Sequence, residues 1–276
     1  MIDLGDKKIN KYDFLFVILV YRFADDLIDF DSSLKEKIQN YKVVVVNSYL
    51  DDESEEKICS IASELHYDFL SIQNKGYGYG NNKGIQYAME RYDYKYLIIC
   101  NADIIIRSFD TSKLPLKNAV IGPAICTING KSQNPYWAVE NKPMEKMIYN
   151  GLRRQSRLRM IVAQGCNKII RELFLKTRKK SSISQVYGVH GAFIIFTHDV
   201  IEKLFPIYDE NMFLYYEEAY LAEKLQKQRV KKYYYPLIDI LHKEDGSTKG
   251  MDFDQHSHAS SSYVYYYETY VLGREK

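Results

Sequence analysis

The sequence predicts an α/β protein with a central, mostly parallel sheet flanked by helices. Short apolar runs alternate with stretches of helical periodicity in the first hundred residues, which is typical of parallel strands joined by right-handed crossovers. The chain has 276 residues, of which 46% are hydrophobic and 27% are charged. These values are close to those of ordinary globular proteins and exclude a disordered chain, a collagen and a repeat array. The length fits two domains or one large α/β domain.

Four apolar runs predict the first four strands. The run FLFVILVY (14–21) is short, continuous and rich in β-branched residues, as expected for a strand buried on both faces. The run at 42–46 has the same character and stops at Asn47. Shorter runs at 69–72 and 96–100 complete the set.

Helical stretches separate these strands. Apolar residues recur at helical spacing within 25–40, and helices are also expected over 53–65 and 82–91. After residue 108 the pattern is less regular. Strands are expected within 116–128, 192–197 and 232–241, helices within 144–180, 217–228 and 260–274, and a polar loop at 129–143 holds Trp137.

Charge and cysteine usage exclude several classes of protein. The chain has 38 Lys and Arg against 36 Asp and Glu, a net charge of +2. It therefore lacks the overall positive potential that attracts nucleic acid. Its four cysteines are far apart, which argues against a zinc ribbon or a disulfide scaffold. The longest apolar run is too short to span a bilayer. The first ten residues lack signal-peptide character, so a cytoplasmic location is expected.

Polar, glycine-rich or acidic residues follow each predicted strand of the first half. In parallel α/β sheets the ligand lies beyond the carboxyl ends of the strands, so these positions are candidate site residues. The alternative is that connecting loops are polar in any protein. The segments are 21–22, 47–54, 74–84 and 101–103.

The segment NKGYGYGNNKGI (74–85) carries four glycines, which permit close backbone approach to a ligand. It fails the GxGxxG test, because Lys83 stands where the third glycine would fall, and it also fails the P-loop pattern. Asn81 and Asn82 are expected to open the next helix, where free N–H groups can meet an anion. A plain glycine turn with a helix cap is the alternative.

Carboxylates and a histidine mark three further positions. Asp103 ends a buried strand and suits Mg²⁺ or Mn²⁺, unless it only caps a loop. Glu217 and Glu218 begin a helix, where one can act as a general base or both can simply complement the helix dipole. They point about 100° apart around the helix and are therefore not interchangeable. His242 follows an extended segment and is either a metal ligand or a structural residue.

Taken in order, these segments resemble family 2 glycosyltransferases, and in particular their rhamnosyltransferase-like branch. The matching pieces are VVNSYLDDES (45–54), NKGYGYGNNKGI (74–85), CNAD (100–103), GAF (191–193), YDENMFLYYEE (208–218) and His242. The resemblance runs from about residue 14 to 245. It implies a single GT-A domain over 1–250, with a Rossmann-like nucleotide-binding half (1–108), an acceptor half (109–250) and a tyrosine-rich helical extension at 251–276.

The resemblance also implies roles for particular residues. Glu218 stands at the catalytic base position, and Asp103 and His242 would hold Mn²⁺ or Mg²⁺. The donor would be a nucleotide sugar such as a UDP- or dTDP-sugar, and the acceptor a glycan or lipid-linked glycan. The implied donor contacts are Tyr21, Arg22, Asn47, Asp51, Asp52, Asn74, Gly78, Gly80, Asn81, Asn82, Asn101 and Asp103. The implied acceptor contacts are Trp137, His190, Gly191 and Glu217.

The chain departs from the family pattern at four of these positions. Arg22 replaces Asn, Asn47 replaces an Asp, Asn101 replaces an acidic residue, and Glu218 is one methylene longer than the usual Asp. The favoured function is an inverting glycosyltransferase of bacterial surface polysaccharide synthesis, such as capsule synthesis. An inactive sugar- or nucleotide-binding subunit is the first alternative. A nucleotidyltransferase is the second, although YRFADDLIDF (21–30) lacks the glycine-rich loop that this class needs.

Two further segments bear on partners. Four arginines, at 153, 154, 157 and 159, either face an anionic lipid surface or acceptor, or form a solvated helix face. The segment YVYYYETYV (263–271) has five tyrosines in nine residues. It is expected to be an interfacial helix at the inner face of the membrane, a dimer helix, or a helix that packs on the core.

Overall fold

A computed structural model describes residues 11–179, 181–244 and 255–274. The strands are β1 (Lys11–Val20), β2 (Tyr41–Tyr49), β3 (Asp68–Gln73), β4 (Asp93–Asn101), β5 (Ile104–Phe109), β6 (Ala119–Thr127), β7 (Ser184–Gln185), β8 (Phe193–Thr197) and β9 (Lys231–His242). The helices are α1 (Asp26–Lys37), α2 (Asp52–Glu64), α3 (Tyr77–Arg91), α4 (Lys142–Arg153), α5 (Arg157–Lys176), α6 (His198–Leu204), α7 (Glu217–Lys227) and α8 (Gln255–Tyr266). A π-helical turn (Tyr267–Val271) follows α8.

One sheet runs through the described chain in the order β3-β2-β1-β4-β8-β6-β9-β5, and β7 pairs with β9. The first four strands are mutually parallel, as the sequence predicts. Beyond β4 the sheet is mixed, because β8 runs antiparallel to both β4 and β6 while β6 and β9 are parallel. The predicted α/β class with a central sheet between helices is confirmed.

Helices cover both faces of the sheet because successive strand residues point to opposite faces. Phe16 of β1 packs on the face that α1 covers, in a cluster with Leu27. Its neighbour Val17 packs on the other face, with Ile85 of α3. All four side chains are fully buried, and each contributes about 1.5–3 kcal/mol by leaving water.

The predicted boundaries of α3 and β2 are wrong by a few residues. Helix α3 begins at Tyr77 rather than at Asn82, so most of the predicted glycine loop is helical. Its cap is Gly76, at φ 104°, whose missing side chain lets the backbone reach the oxygen of Phe213. Strand β2 continues past Asn47 to Tyr49. Strand β5 was not predicted, because it follows β4 after only two residues.

The tyrosine-rich segment packs against the core, which is one of the three arrangements expected for it. Tyr263 and Tyr266 are fully buried, in a cluster that includes Trp137 and Met144. The Tyr149 and Tyr267 rings stack with centroids 4.5 Å apart. Among the described residues, no helix has the length and hydropathy needed to cross a membrane.

Candidate active site

A cavity of about 670 Å³ opens at the carboxyl ends of β1 and β4. Parallel strands end at one edge of a sheet, and the loops that follow them build the walls. Tyr21 and Asp103 come from the ends of β1 and β4, and Gly191 precedes β8. The aromatic segment 213–216 and the first residues of α7 complete the wall.

Asp103 and His242 lie side by side in this cavity. Oδ1 of Asp103 is 3.3 Å from Nε2 of His242, and both residues are buried. His242 is the last residue of β9, and its register partner Ile104 begins β5. The two residues are therefore brought together by strand pairing across 139 positions of sequence. Nδ2 of Asn101 lies 3.4 Å from the same imidazole nitrogen.

A second contact fixes the tautomer of His242. Its Nδ1 is 2.8 Å from Oε1 of Gln133, whose amide nitrogen donates to Oε1 of Glu244 at 2.8 Å. Because Gln133 presents its oxygen, Nδ1 carries a proton, and in the neutral ring Nε2 therefore holds the lone pair. That lone pair then faces another acceptor, the Asp103 carboxylate.

Two acceptor atoms in contact fit a shared cation. Neighbouring ligands of an octahedral Mg²⁺ are about 3 Å apart, close to the 3.3 Å seen here. The described residues contain no cluster of three His, Cys, Asp or Glu able to hold a metal ion. Protein ligands alone would therefore be few, which suits a metal that also binds substrate phosphates.

Glu217 and Glu218 enter the cavity from the start of α7. The preceding residues Tyr215 and Tyr216 both have positive φ, 74° and 66°, so the backbone turns just before α7 begins. Non-glycine residues in this region cost about 1–3 kcal/mol each and cluster at functional sites. The two carboxylates therefore follow directly on a strained stretch of backbone.

The two carboxylates have different surroundings. Oε1 of Glu218 accepts a hydrogen bond from the Gly191 N–H at 3.2 Å. Burial raises the pKa of Glu218, and its backbone donors oppose the shift. Burial, with the neighbouring Glu218 charge, raises the pKa of Glu217 to about 8. Oε1 of Glu217 has no hydrogen-bond partner among the described residues.

Two consecutive residues connect the carboxylates to the Asp103 side of the cavity. The Gly191 N–H donates to Glu218, and the Ala192 carbonyl accepts from the Asn101 N–H at 3.0 Å. The Tyr77 hydroxyl adds a hydrogen bond to the Gly191 carbonyl at 3.2 Å. The Glu218 carboxylate and the Asn101–His242 side of the cavity are therefore parts of one hydrogen-bonded assembly.

Comparisons with known proteins bear on this arrangement. No protein-family profile matches the chain. The low-salt glycan biosynthesis hexosyltransferase Agl10 of Haloferax volcanii is 21% identical over 237 residues, which are 84% of this chain and 67% of that protein. The structure of GalNAc-T7 with UDP, GalNAc and Mn²⁺ matches with a TM-score of 0.57 at 14% identity over 84% of this chain. Mannosyltransferase PcManGT from Pyrobaculum calidifontis, in complex with GDP-Man and Mn²⁺, matches with a TM-score of 0.50 at 14% identity over 87% of this chain.

The chain has the GT-A glycosyltransferase fold. The described β/α order and sheet agree with this assignment. The chain covers 44% of the GalNAc-T7 chain and 59% of the PcManGT chain, so the likeness concerns the fold. The rhamnosyltransferase-like branch stays a prediction.

Nine of the predicted site residues line the cavity of this GT-A fold. They are Tyr21, Asn74, Asn101, Asp103, His190, Gly191, Glu217, Glu218 and His242. His190 is held neutral, because burial lowers its pKa to about 3. Its Nδ1 accepts from the Ala192 N–H at 3.2 Å, so the ring shapes the loop before β8.

Other predicted donor contacts at the ends of β1 and β2 do not line the cavity. Asn47 is fully buried within β2, where its amide donates to Ser71 Oγ at 3.2 Å. Asp51 caps α2 by accepting from the Ser54 N–H, and Asp52 accepts from the Tyr49 hydroxyl. Arg22 is exposed and lies over the Phe23 ring.

The predicted glycine loop instead forms the packing face of α3. A Cβ at Gly78 would lie 2.9 Å from the Tyr208 Cβ, and one at Gly80 2.5 Å from a Leu19 methyl. Asn82 donates to the Tyr208 carbonyl and accepts from the Tyr208 N–H.

Asn81 and Trp137 likewise stand outside the cavity wall. Asn81 donates to the Tyr77 carbonyl at 3.0 Å, one turn back along α3. Trp137 is buried and stacks on Tyr187, with ring centroids 5.9 Å apart. Asn81 thus bonds to the cavity residue Tyr77, and Trp137 belongs to the buried cluster against which the cavity residue Tyr216 packs.

Several other cavity residues carry little signal in the sequence. Gln133 sits in a polar loop where a glutamine carries no signal. Nothing in the sequence distinguishes Tyr77 and Tyr208 from the other tyrosines, because the chain has 26 of them. Asp26 lines the cavity and pairs with Lys243, which also reaches Asp29 at 2.9 Å.

Proposed function

We propose that this protein is an inverting glycosyltransferase that moves a sugar from a nucleotide-diphosphate sugar to a hydroxyl of a glycan or lipid-linked glycan. The observation that carries the proposal is the pairing, within one cavity, of the Asp103–His242 couple with the carboxylate of Glu218. The fold and the resemblance to a glycan-biosynthesis hexosyltransferase support the reaction class. Residues 1–108 form the donor half and 109–250 the acceptor half in this proposal, with 251–276 as an extension.

The donor nucleotide would lie at the ends of β1 and β2. Tyr21 and Phe23 offer aromatic faces to a base, and Ser48 and Asn74 offer polar groups to a ribose. A UDP- or dTDP-sugar is the proposed donor. Asp26 and Asp29 neutralise the positive charge of Lys243, so Lys243 is not one of the proposed phosphate contacts.

Asp103 and His242 would hold Mn²⁺ or Mg²⁺ next to the donor diphosphate. Such an ion, when bound, neutralises the charge that develops on the leaving nucleotide diphosphate. Gln133 keeps the His242 lone pair directed at this position, and Asn101 helps fix the ring.

Glu218 is the proposed general base. Its carboxylate takes the proton from the acceptor hydroxyl while that oxygen attacks the anomeric carbon. The bond from this carbon to the diphosphate oxygen breaks at the same time, which inverts the configuration. The pKa of Glu218 is raised towards the pH at which the enzyme works, which makes its carboxylate a better proton acceptor. Glu217, with a pKa of about 8, is mostly protonated at pH 7 and is suited to donate a hydrogen bond to the acceptor.

The proposal of an inactive binding subunit is weakened by the positions of the sequence departures. Arg22 is exposed and Asn47 is buried away from the cavity, so neither substitution alters the cavity wall. Glu218 remains a carboxylate beside Gly191. Of the four departures, only those at Asn101 and Glu218 touch the proposed chemistry.

Nucleotide binding and turnover test the proposal. We expect one of the UDP-, dTDP- or GDP-sugars to raise the melting temperature in the presence of Mn²⁺, and we expect slow hydrolysis of that donor. Asp103→Asn should abolish the Mn²⁺-dependent part of the shift. The control is Asp25→Asn, an exposed carboxylate just before α1, which should keep it. A metal response that survives in Asp103→Asn would contradict the cation site.

Glu218→Gln separates an enzyme from a binding subunit. Removal of a general base costs about 10²–10⁴-fold in rate, so transfer and hydrolysis should fall by that order while donor affinity is kept. If wild type binds the donor but neither it nor the variant turns it over with any acceptor, the chain is a binding subunit. Near-normal turnover by Glu218→Gln would show that another residue is the general base.

A further inference from the structure

Helix α5 exposes a row of large aliphatic side chains, here named the α5 stripe: Leu158, Ile161, Val162, Ile169 and Leu173. Their exposed fractions range from 42% to 71%. At 3.6 residues per turn they fall within an arc of about 120° and extend about 22 Å along the helix. The buried residues Ala163 and Phe174 lie on the opposite side of α5. In the part of the chain that the structure describes, the stripe faces solvent.

Positive charge surrounds the α5 stripe. Residues 142–179 contain eleven Lys and Arg against two Asp and Glu, an excess of nine positive charges in a chain whose net charge is +2. Of the two acids, Glu145 is fully buried and Glu172 pairs with Lys168. Lys142 and Arg153 pair with Glu223 and Glu268 from other elements, and the remaining cations leave the α4–α5 surface positively charged.

A groove of about 480 Å³ lies where the stripe meets α4. Its apolar lining comes from Pro143, Met147, Leu158 and Val162. Two cationic side chains, Lys146 and Arg159, stand among these residues. An apolar floor with cations beside it matches the two parts of an anionic lipid, its acyl chain and its phosphate.

We propose that the α4–α5 surface binds an anionic lipid bilayer. A helix with an aliphatic face and flanking Lys and Arg lies in the membrane interface, held by apolar burial and by attraction to anionic headgroups. A second copy of this chain is a poorer occupant, because two such positive surfaces repel each other. The stripe also lacks the aromatic residues that mark the centres of protein–protein interfaces.

The opposite side of α5 contacts the cavity wall. Arg171 donates to the Gln133 carbonyl at 3.4 Å, and Asn167 donates to the Tyr136 carbonyl at 3.1 Å. Gln133 is the residue that orients His242. Docking through the stripe would thus bring the loop that supports the proposed donor site to the bilayer. The lipid interaction itself requires neither the donor nor the metal, so it goes beyond the proposed function.

Vesicle co-sedimentation tests the inference on the full chain without nucleotide or metal. We expect binding to vesicles of 30% phosphatidylglycerol in phosphatidylcholine at about 0.15 M salt, and no binding to phosphatidylcholine alone. Arg154→Gln/Arg159→Gln/Lys168→Gln should weaken the lipid affinity on the order of 100-fold, given the usual contribution of each cation near such a surface. Three exposed lysines elsewhere give the matched control, Lys113→Gln/Lys117→Gln/Lys203→Gln, which should bind like wild type.

The contribution of the aliphatic side chains of the α5 stripe to vesicle binding is tested separately. Ile161→Gln/Ile169→Gln/Leu173→Gln should weaken vesicle binding at least 10-fold, whereas Ile28→Gln/Leu116→Gln/Ile128→Gln, also at exposed positions, should not. Asp103→Asn should bind vesicles normally, which keeps this test independent of the catalytic proposal. Absence of vesicle binding by wild type would overturn the inference. So would a concentration-dependent dimer that the stripe variant abolishes while neither protein binds vesicles.

Discussion

At the scale of single residues, Glu217 is a buried carboxyl whose protonation is linked to folding. The folded protein holds its proton up to a pH of about 8, whereas the unfolded chain releases it near the usual value of 4.5. Between these values the folded state binds more protons, so stability falls by about 1.4 kcal/mol per pH unit from this group.

Glu217→Gln should remove this pH dependence. We expect the variant and wild type to have similar stability near pH 4.5. The variant should become progressively more stable than wild type up to pH 8, by a few kcal/mol in total, and the difference should then level off. Urea unfolding at each pH measures it. An offset that does not change with pH would show that Glu217 titrates normally in the folded protein.

Gln133 offers a second prediction for a single residue, because it fixes the tautomer of His242 without entering the proposed metal site. Loss of such an orienting partner typically costs 10–100-fold in metal affinity. We expect Gln133→Leu to weaken Mn²⁺-dependent nucleotide binding by about that factor and to leave metal-free nucleotide binding unchanged. Glu244→Gln keeps an acceptor for the Gln133 amide and should have little effect. Equal losses with and without Mn²⁺ would assign Gln133 a purely structural role.

At this scale the sequence predicts best the position of a residue that ends or directly follows a strand. Asp103 and His242 follow long apolar segments, and parallel or paired strands necessarily bring such ends together. Asp51 instead caps α2 outside the cavity, and its spacing to Ser54, which is that of a helix cap, is itself a sequence signal. Gln133 reaches His242 from a loop 109 positions away, and local sequence carries no trace of that contact.

At the scale of elements, α3 shows how tertiary packing overrides propensity. Three glycines within its first eight residues make a poor helix by propensity, which is why a loop was expected there. The same glycines let the helix approach the sheet closely. A Cβ on Gly84 would lie 2.4 Å from a Val17 methyl and 2.7 Å from a Val46 methyl, on β1 and β2.

Gly84→Ala should therefore destabilise the protein despite its better helix propensity. Valine side chains in a buried strand have little freedom to move, and overpacking of this kind costs about 1–3 kcal/mol. Gly165→Ala is the matched control, because that helical glycine has open space around it, and we expect it to stabilise by about 0.5–1 kcal/mol. Urea unfolding compares the two. A Gly84→Ala protein as stable as Gly165→Ala would show that α3 can shift away from the sheet.

The regular first half of the chain was predictable because each buried strand is a continuous apolar run. Beyond β4 the strands pair in mixed directions, and β9 carries alternating intermediate and buried residues that give a weaker pattern. The register of β9 also shifts between Pro123 and Ala124 of its partner β6. Such irregularities follow from the whole sheet and not from any one segment.

At the scale of the whole molecule, the C-terminal helix supports the turn that presents Glu217 and Glu218. Ser262 Oγ donates to the Leu214 carbonyl at 2.8 Å. The Tyr216 and Tyr263 rings meet edge to face, with centroids 4.7 Å apart. The strained conformation at 215–216 persists only if its surroundings hold it, and α8 supplies part of that support from the far end of the chain.

Loss of this support should loosen the turn without unfolding the sheet. One hydrogen bond contributes about 0.5–1.5 kcal/mol, so we expect Ser262→Ala to speed hydrogen exchange of residues 213–216 several-fold and to lower turnover more than donor affinity. Tyr263→Leu, which removes the ring contact, should act in the same direction and more strongly. Ser60→Ala, on the exposed face of α2, should change neither quantity. If exchange in 213–216 stays at the wild-type rate in both variants, the turn holds its conformation without α8, and the tyrosine-rich helix serves stability alone.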